Sequence, residues 1–454
     1  MSGNKFLFSL ILLGLSLTIF GQEKDNPAID TTRAVVNVPA QKKQDTTKTS
    51  LDDTIRSLND TTKVMVGAPA NQIMKDTINT QDSPLDIDES RGIFIMADHG
   101  NIQFRILGSI RFSALFDNKL LSDKSRFNAY DIPTGAADFS VINYYNSLMF
   151  SRIAFEVTRK TDIGNIFIRF ETDFAGQADG QSSAYRIRHA YAQFNKWLVG
   201  QTWSLFANVN AQAMSVNRVG APGTISLRTP QIRYSFNIPY KKLKGSVAYE
   251  YSLPEVSQTD SVSENYVNVQ TVPNLTARIS SKEKFGYLQL SGIAAPITGV
   301  DTLGNKSSFM GFGFSFSGYW KTPDKNKLIF QATYTKGVSH FINTFRNNNL
   351  DLSYNPVNQD FESLSSWSGN VSYEYHWKIN RLISTASFGM ADIVNTSYQP
   401  PDAYSYSYSG SLNTFWTIVA GAKIGLEYLY GQRINKDGTK GRASRIWALF
   451  YYDF

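Results

Sequence analysis

From residue 101 onward, apolar and polar side chains alternate with a period of two, and this alternation constrains the fold more than any other feature. Ile102, Phe104, Ile106, Gly108, Ile110 and Phe112 share one parity; Gln103, Arg105, Ser109 and Arg111 share the other. Phe312, Phe314 and Phe316 alternate with Gly311, Gly313, Ser315 and Ser317. Val371, Tyr373, Tyr375 and Trp377 alternate with Asn370, Ser372, Glu374 and His376. Successive side chains of a strand point to opposite faces, so each run has one apolar and one polar face. Repeated to Phe454 with few helical windows, the pattern makes the chain all-β.

Connection lengths separate a soluble sheet from a membrane barrel. The alternation divides into sixteen strand candidates, each near the ~9–11 residues that cross a bilayer when tilted. Short turns fall near Thr161–Gly164, Phe194–Lys196, Tyr240–Lys242, Ser281–Lys284, Thr322–Asn326, Lys378–Asn380 and Gly421. Long links fall near 117–146, 175–183, 204–227, 253–273, 295–307, 338–364, 392–409 and 434–442. Short turns at one end, long loops at the other and an even strand count predict a transmembrane antiparallel β-barrel of about sixteen strands. Composition agrees. Aromatics make up 13% and charged residues 18%, as expected where every second residue meets lipid and aromatic side chains such as Trp320, Trp377, Tyr398 and Tyr430 mark the interfaces. The chain has no Cys, which excludes disulfides and thiolate metal sites. With four His, a His-rich metal site is not expected either.

Residues 1–21 read as a signal peptide: Lys5 precedes the apolar run Phe6–Phe20, and Gly21 is a small residue before a cut at Gln22. Residues 22–90 hold almost no aromatics, and Asp-Thr-Thr recurs at Asp30, Asp45 and Asp60. That segment reads as a disordered periplasmic leader, too poor in apolar surface to offset chain entropy. Residues 1–90 hold 9 basic and 12 acidic side chains, leaving 36 and 26 in 91–454, so the barrel domain carries +10.

A barrel this wide encloses an aqueous channel. Parity turns Arg105, Arg111, Arg152, Arg169, Arg186, Arg188 and Arg233 inward on the first six strands, against Glu156, Glu171 and Asp173. The last ten strands place Arg278, Lys423, Arg433 and Arg445 inside, against Glu250, Glu374, Glu427 and Asp453. The excess therefore lies on one side. Guanidinium groups stay charged and grip carboxylates bidentately, so this wall raises the local concentration of small anions. Any single arginine has a second reading, as a wall stiffener paired with one of the three acids. The link Ser204–Leu227 is a candidate constriction loop, with Arg218 and the flexible stretch Gly220, Ala221, Pro222, Gly223; a plain extracellular loop is the alternative. Arg228 follows it at the rim.

In the last strand Ile446, Ala448, Phe450, Tyr452 and Phe454 share one parity and face lipid. A final Phe with apolar residues at every second upstream position resembles the signal read by the barrel-assembly machinery, carried here by Phe450, Tyr452 and Phe454.

Two blocks carry a more specific resemblance. Arg186-Ile187-Arg188-His189-Ala190-Tyr191-Ala192 is followed by Trp197-Leu198-Val199-Gly200-Gln201-Thr202-Trp203-Ser204-Leu205-Phe206, then Gly220-Ala221-Pro222-Gly223 and Arg228-Thr229-Pro230-Gln231-Ile232-Arg233-Tyr234. In this order they resemble the central signature of DcaP-like outer-membrane porins, and Gly108 to Asp117 is similar as well. The resemblance implies a homotrimer of sixteen-stranded barrels in the bacterial outer membrane, passing small, mostly anionic solutes such as dicarboxylates. It implies a binding role for Arg186, Arg188, Arg228 and Arg233. Some members carry an N-terminal coiled coil, whereas residues 22–90 show no sustained heptads.

The resulting expectation is a passive, anion-preferring porin with no cofactor. A structural anchor or adhesin whose leader contacts the cell wall is the alternative. A barrel enzyme is disfavoured, since His189 and His376 sit in no recognisable nucleophile motif. Active transport lacks a plug domain ahead of the barrel. Nucleic-acid binding fails because the basic residues alternate with apolar ones along strands instead of forming an exposed stripe.

Overall fold

The computed structural model describes residues 63–66, 91–176, 184–239, 242–257, 267–270, 272–300, 306–357, 360–377 and 381–454. The signal-peptide reading and most of the leader lie outside these residues. Sixteen wall strands run in chain order: β1 Ile102–Asp117, β2 Arg152–Thr161, β3 Gly164–Asp173, β4 Arg186–Phe194, β5 Trp197–Trp203, β6 Arg228–Ile238, β7 Leu243–Glu250 and β8 Asn274–Glu283. They continue as β9 Gly286–Val300, β10 Lys306–Lys321, β11 Lys327–Lys336, β12 Ser365–His376, β13 Leu382–Ile393, β14 Tyr404–Val419, β15 Ala422–Asn435 and β16 Lys440–Asp453. Each pairs antiparallel with the next, and β16 returns to β1 from Arg445↔Asp117 to Asp453↔Ser109. The sheet is therefore a closed barrel without free edges in the wall.

The seam is reinforced. Below the last β16 pair, Ile93–Ala97 lies against Ile102–Ile106 of β1, and Lys63–Val66 pairs with it in turn. Four residues of the stretch expected to be a disordered leader thus form a strand. The backbone of Phe454 exchanges two hydrogen bonds with Gly108, both at 2.9 Å. Its ring covers the space a Cβ would need at Gly108, which explains glycine inside an otherwise bulky strand.

Alternation is clear along β16. Ile446, Phe450 and Tyr452 are 50%, 41% and 41% exposed, while Trp447, Leu449 and Tyr451 are buried. The inner face is thus less polar than period-two reading alone predicts. Trp447, Leu449, Leu429 and Leu115 pack against Leu121, Phe127 and Ile132 of the link 118–142. A long loop folded into a barrel needs apolar wall positions on which to rest. Outside, Trp320, Trp377 and Tyr430 are exposed; Tyr398 instead lies in an outer link, where its hydroxyl donates to Glu362 at 2.9 Å.

Three long links are shorter than expected; 392–409 narrows to 394–403, and the other two show the cause. β9 and β10 run on to Val300 and Lys306, and β15 and β16 to Asn435 and Lys440. Their ladders exceed the ~9–11 residues a bilayer needs, so the hairpins project past the membrane and consume what reads as loop. A bulge between Glu171 and Thr172 breaks the β3–β4 register, pairing Glu171 with His189 and Thr172 with Ile187.

Candidate functional site: the arginine wall and the inserted loop

The inner faces of β1–β4 carry an ion-pair ladder. Glu156 accepts from Arg105 Nε at 2.7 Å and from Arg169 Nη1 at 3.0 Å. Glu171 accepts from Arg169 Nη2 at 2.8 Å and Arg188 Nε at 2.6 Å, with Arg152 at 3.6 Å. Asp173 accepts from Arg186 Nη2 at 2.7 Å and Arg188 Nη1 at 3.1 Å, with Arg218 at 3.7 Å. Six arginines thus share three acids. Arg111 stands apart, 3.7 Å from Asp453.

The bulge at Glu171/Thr172 shapes this ladder. An extra residue on β4 lets Arg186 and Arg188 both reach Asp173, and it turns His189 inward as well. His189 Nδ1 lies 3.0 Å from Thr202 Oγ1 and its Nε2 3.4 Å from Arg228 Nε. Arg228 stacks over the Trp203 ring at 3.5 Å. Arg233 donates to Gln231 Oε1 at 2.9 Å and to the Trp203 carbonyl. The Arg186 side chain is 42% exposed, whereas those of Arg105, Arg152, Arg169 and Arg188 are buried.

The link 204–227 crosses the barrel interior. The wall holds it largely by its main chain: Glu250 accepts from Leu205 N at 2.8 Å, Glu374 from Met214 N at 3.4 Å and Glu427 from Asn217 N at 2.8 Å. Gln289, Ser291 and Asn413 donate to the carbonyls of Ala207, Phe206 and Met214. Sequence parity places Glu250, Glu374 and Glu427 inside but gives no sign of this tethering role, because nothing local in a strand reveals a partner 45 to 210 residues away.

At its tip, Arg218 lies over the Phe150 ring at 4.1 Å, so the loop contributes the sixth cation of the ladder. The stretch Gly220–Gly223 is docked. Asn343 Nδ2 donates to the carbonyls of Val219 and Ala221 at 2.7 and 3.0 Å, and Gly223 N donates to Thr344 Oγ1 at 3.2 Å. Gly220 and Gly223 have φ of +75° and +78°, and a Cβ on Gly223 would sit 2.8 Å from the Met390 carbonyl. The carbonyl of Pro222 is pressed against Gly389 on β13. Glycine is required on both sides of this contact.

Beside the loop, Asp131 of the link 118–142 is half-buried, with its Oδ2 enclosed and without a hydrogen-bond partner. Burial pushes its pKa up to about 6, against the opposing pull of Arg126 and Arg433. Among the described residues no group of His and carboxylate side chains is spaced to hold a metal ion. The chemistry available is electrostatic: fixed guanidinium charge in excess of carboxylate among the described residues, facing a loop folded into the barrel interior.

Comparison with known proteins agrees with this architecture. The sequence profile described as DcaP outer membrane protein matches residues 71–454. The outer membrane channel DcaP of Acinetobacter baumannii superposes with a TM-score of 0.66 at 21% identity, covering 79% of this chain and 99% of that one. An anion-selective porin from Comamonas acidovorans superposes with a TM-score of 0.49 at 10% identity, covering 78% of this chain and 100% of that one. No curated protein matches by sequence.

Proposed function

The chain belongs to the DcaP outer membrane protein family and is an outer-membrane porin, and from that premise we propose that it prefers small anions, dicarboxylates among them. One observation carries this reading: among the described residues, five arginines of one wall and Arg218 of the inserted loop share three carboxylates. Those three acids balance three of the six charges, and a low-dielectric wall focuses the remainder into the lumen. Arg186 is the ladder member whose side chain reaches solvent, and its planar fork suits a carboxylate. Arg105, Arg111, Arg152, Arg169 and Arg188 supply field behind it; Arg228 and Arg233 extend it towards the rim. Arg218, Gly220, Pro222 and Gly223 set the constriction.

The same reading assigns residues 1–21 to a signal peptide, 22–90 to a periplasmic leader and 91–454 to the porin domain. Barrels associate as homotrimers through their lipid-side walls, and Phe450, Tyr452 and Phe454 present the outward face read during assembly. Reversal potentials across planar bilayers in a KCl gradient test the selectivity. Chloride should be favoured, and Arg186→Gln with Arg188→Gln should move the potential towards zero. A cation-selective channel overturns the reading. Liposome swelling should then rank dicarboxylates above neutral sugars of equal size.

A further inference from the structure

A second constellation stands at the outer mouth, away from the arginine wall. Ser252 follows the end of β7, on the same inward parity as Glu250. His340 lies in the single turn Ser339–Phe341, and Asp351 in the same outer link. Ser252 Oγ is 3.0 Å from His340 Nε2, and His340 Nδ1 is 2.6 Å from Asp351 Oδ2. This is the connectivity of a nucleophile, its base and the group that orients the base.

Hydrogen bonding fixes the proton positions. Asp351 accepts from Ser339 Oγ at 2.8 Å, His340 N at 3.0 Å and Glu255 N at 2.7 Å, besides His340 Nδ1. A carboxylate taking that many donors is acceptor-only, so Nδ1 carries the ring proton and Nε2 presents its lone pair to the Ser252 hydroxyl. Asp351 is fully buried and His340 nearly so, whereas Ser252 keeps partial exposure. The nucleophile is thus the accessible member. Ser252 Oγ also accepts from Asn274 Nδ2 at 2.8 Å, which leaves its own proton aimed at His340 Nε2.

We propose that Ser252 is an activated nucleophile and that the outer mouth carries an acyl-transfer site for small carboxylic esters, with Ser252 and His340 as catalytic residues and Asp351 as a positioning residue. Ser252 Oγ bonds to the acyl carbon while its proton passes to His340 Nε2. The ester C–O bond then breaks and the alcohol departs with that proton. Water repeats the sequence on the acyl-serine, releasing the carboxylic acid and restoring Ser252. An ester is the suited substrate, since its leaving group departs more readily than that of an amide.

The test uses the purified full chain, folded in detergent. A fluorophosphonate probe should add once, at Ser252 by peptide mapping, on the order of 100-fold faster than in His340→Ala, the usual contribution of a general base. p-Nitrophenyl acetate should turn over, and Asp351→Asn should lower kcat while leaving KM in place. An unmodified Ser252 in a folded barrel overturns the proposal, as does equal labelling of wild type and His340→Ala. Ester turnover no faster than that of Ser252→Ala overturns it even if the probe reacts. Conductance of Ser252→Ala should match wild type, so this test fails independently of the porin reading.

Discussion

The inner face of β1–β4 and the hydroxyl-lined middle of β10 and β11 share parity, pairing and barrel curvature, yet they solve burial in opposite ways. On the first, Glu156, Glu171 and Asp173 are each divided among at least two arginines. On the second, Ser315 and Thr333 bond each other at 3.0 Å, Gln331 Nε2 donates to Thr333 Oγ1 at 3.2 Å, and Ser317 accepts from Asn208 of the inserted loop at 2.9 Å. Hydroxyl pairs are local and neutral, so losing one disturbs a neighbour. Ladder charges are shared, so losing one acid leaves several buried cations short of counter-charge at once. Strand geometry sets which positions face inward; the side chains placed there decide whether the wall is divisible.

The sharpest way to break this contrast is to remove one acid. Glu171→Gln leaves Arg152, Arg169 and Arg188 facing a neutral amide, and should cost about 3–5 kcal/mol of stability. Ser315→Ala on the opposite wall should cost about 1 kcal/mol. Thermal unfolding of the folded barrel in detergent compares them directly, and similar losses would abolish the distinction.

A smaller effect should follow where the loop meets β12 and β13. Gly223→Ala forces a left-handed backbone on alanine, about 1–2 kcal/mol, and drives its Cβ against the Met390 carbonyl. Single-channel conductance should rise as the loop lifts from β12 and β13. Unchanged conductance would mean that the loop does not set the narrowest section.

The least effect should come from Asp131. Its folded pKa of about 6 lies above the ordinary carboxyl value, so the folded state binds the proton more tightly than the unfolded chain. Its stabilising contribution is full below pH ~4 and is lost as pH rises through about 6. The link 118–142 should gain amide exchange over that window, and Asp131→Asn should flatten the dependence.

Much of the wall was legible because period two is a local signal. Ile446, Phe450 and Tyr452 declare their face from a few residues of sequence. Link lengths were less legible: strands that pair beyond the membrane look like polar loop, as at 295–307 and 434–442. The inward turn of His189 depends on one extra residue opposite Glu171, and no composition rule marks a bulge. The Ser252–His340–Asp351 relay was invisible for a different reason. Ser252 stands in one link of the barrel and His340 with Asp351 in another, and only the closed sheet brings them together.

The tether on the inserted loop has one more consequence. Glu250, Glu374, Glu427, Gln289, Ser291 and Asn413 address amides and carbonyls of Leu205–Asn217, and every residue except proline supplies both. A socket that grips the peptide unit sets its path whatever that unit carries, so exchange is open at half-buried positions such as Asn210 and Ala213 and closed at Phe206 and Val209, which are wholly buried. The barrel is a fixed holder whose insert can vary only where neither wall nor core takes up the side chain.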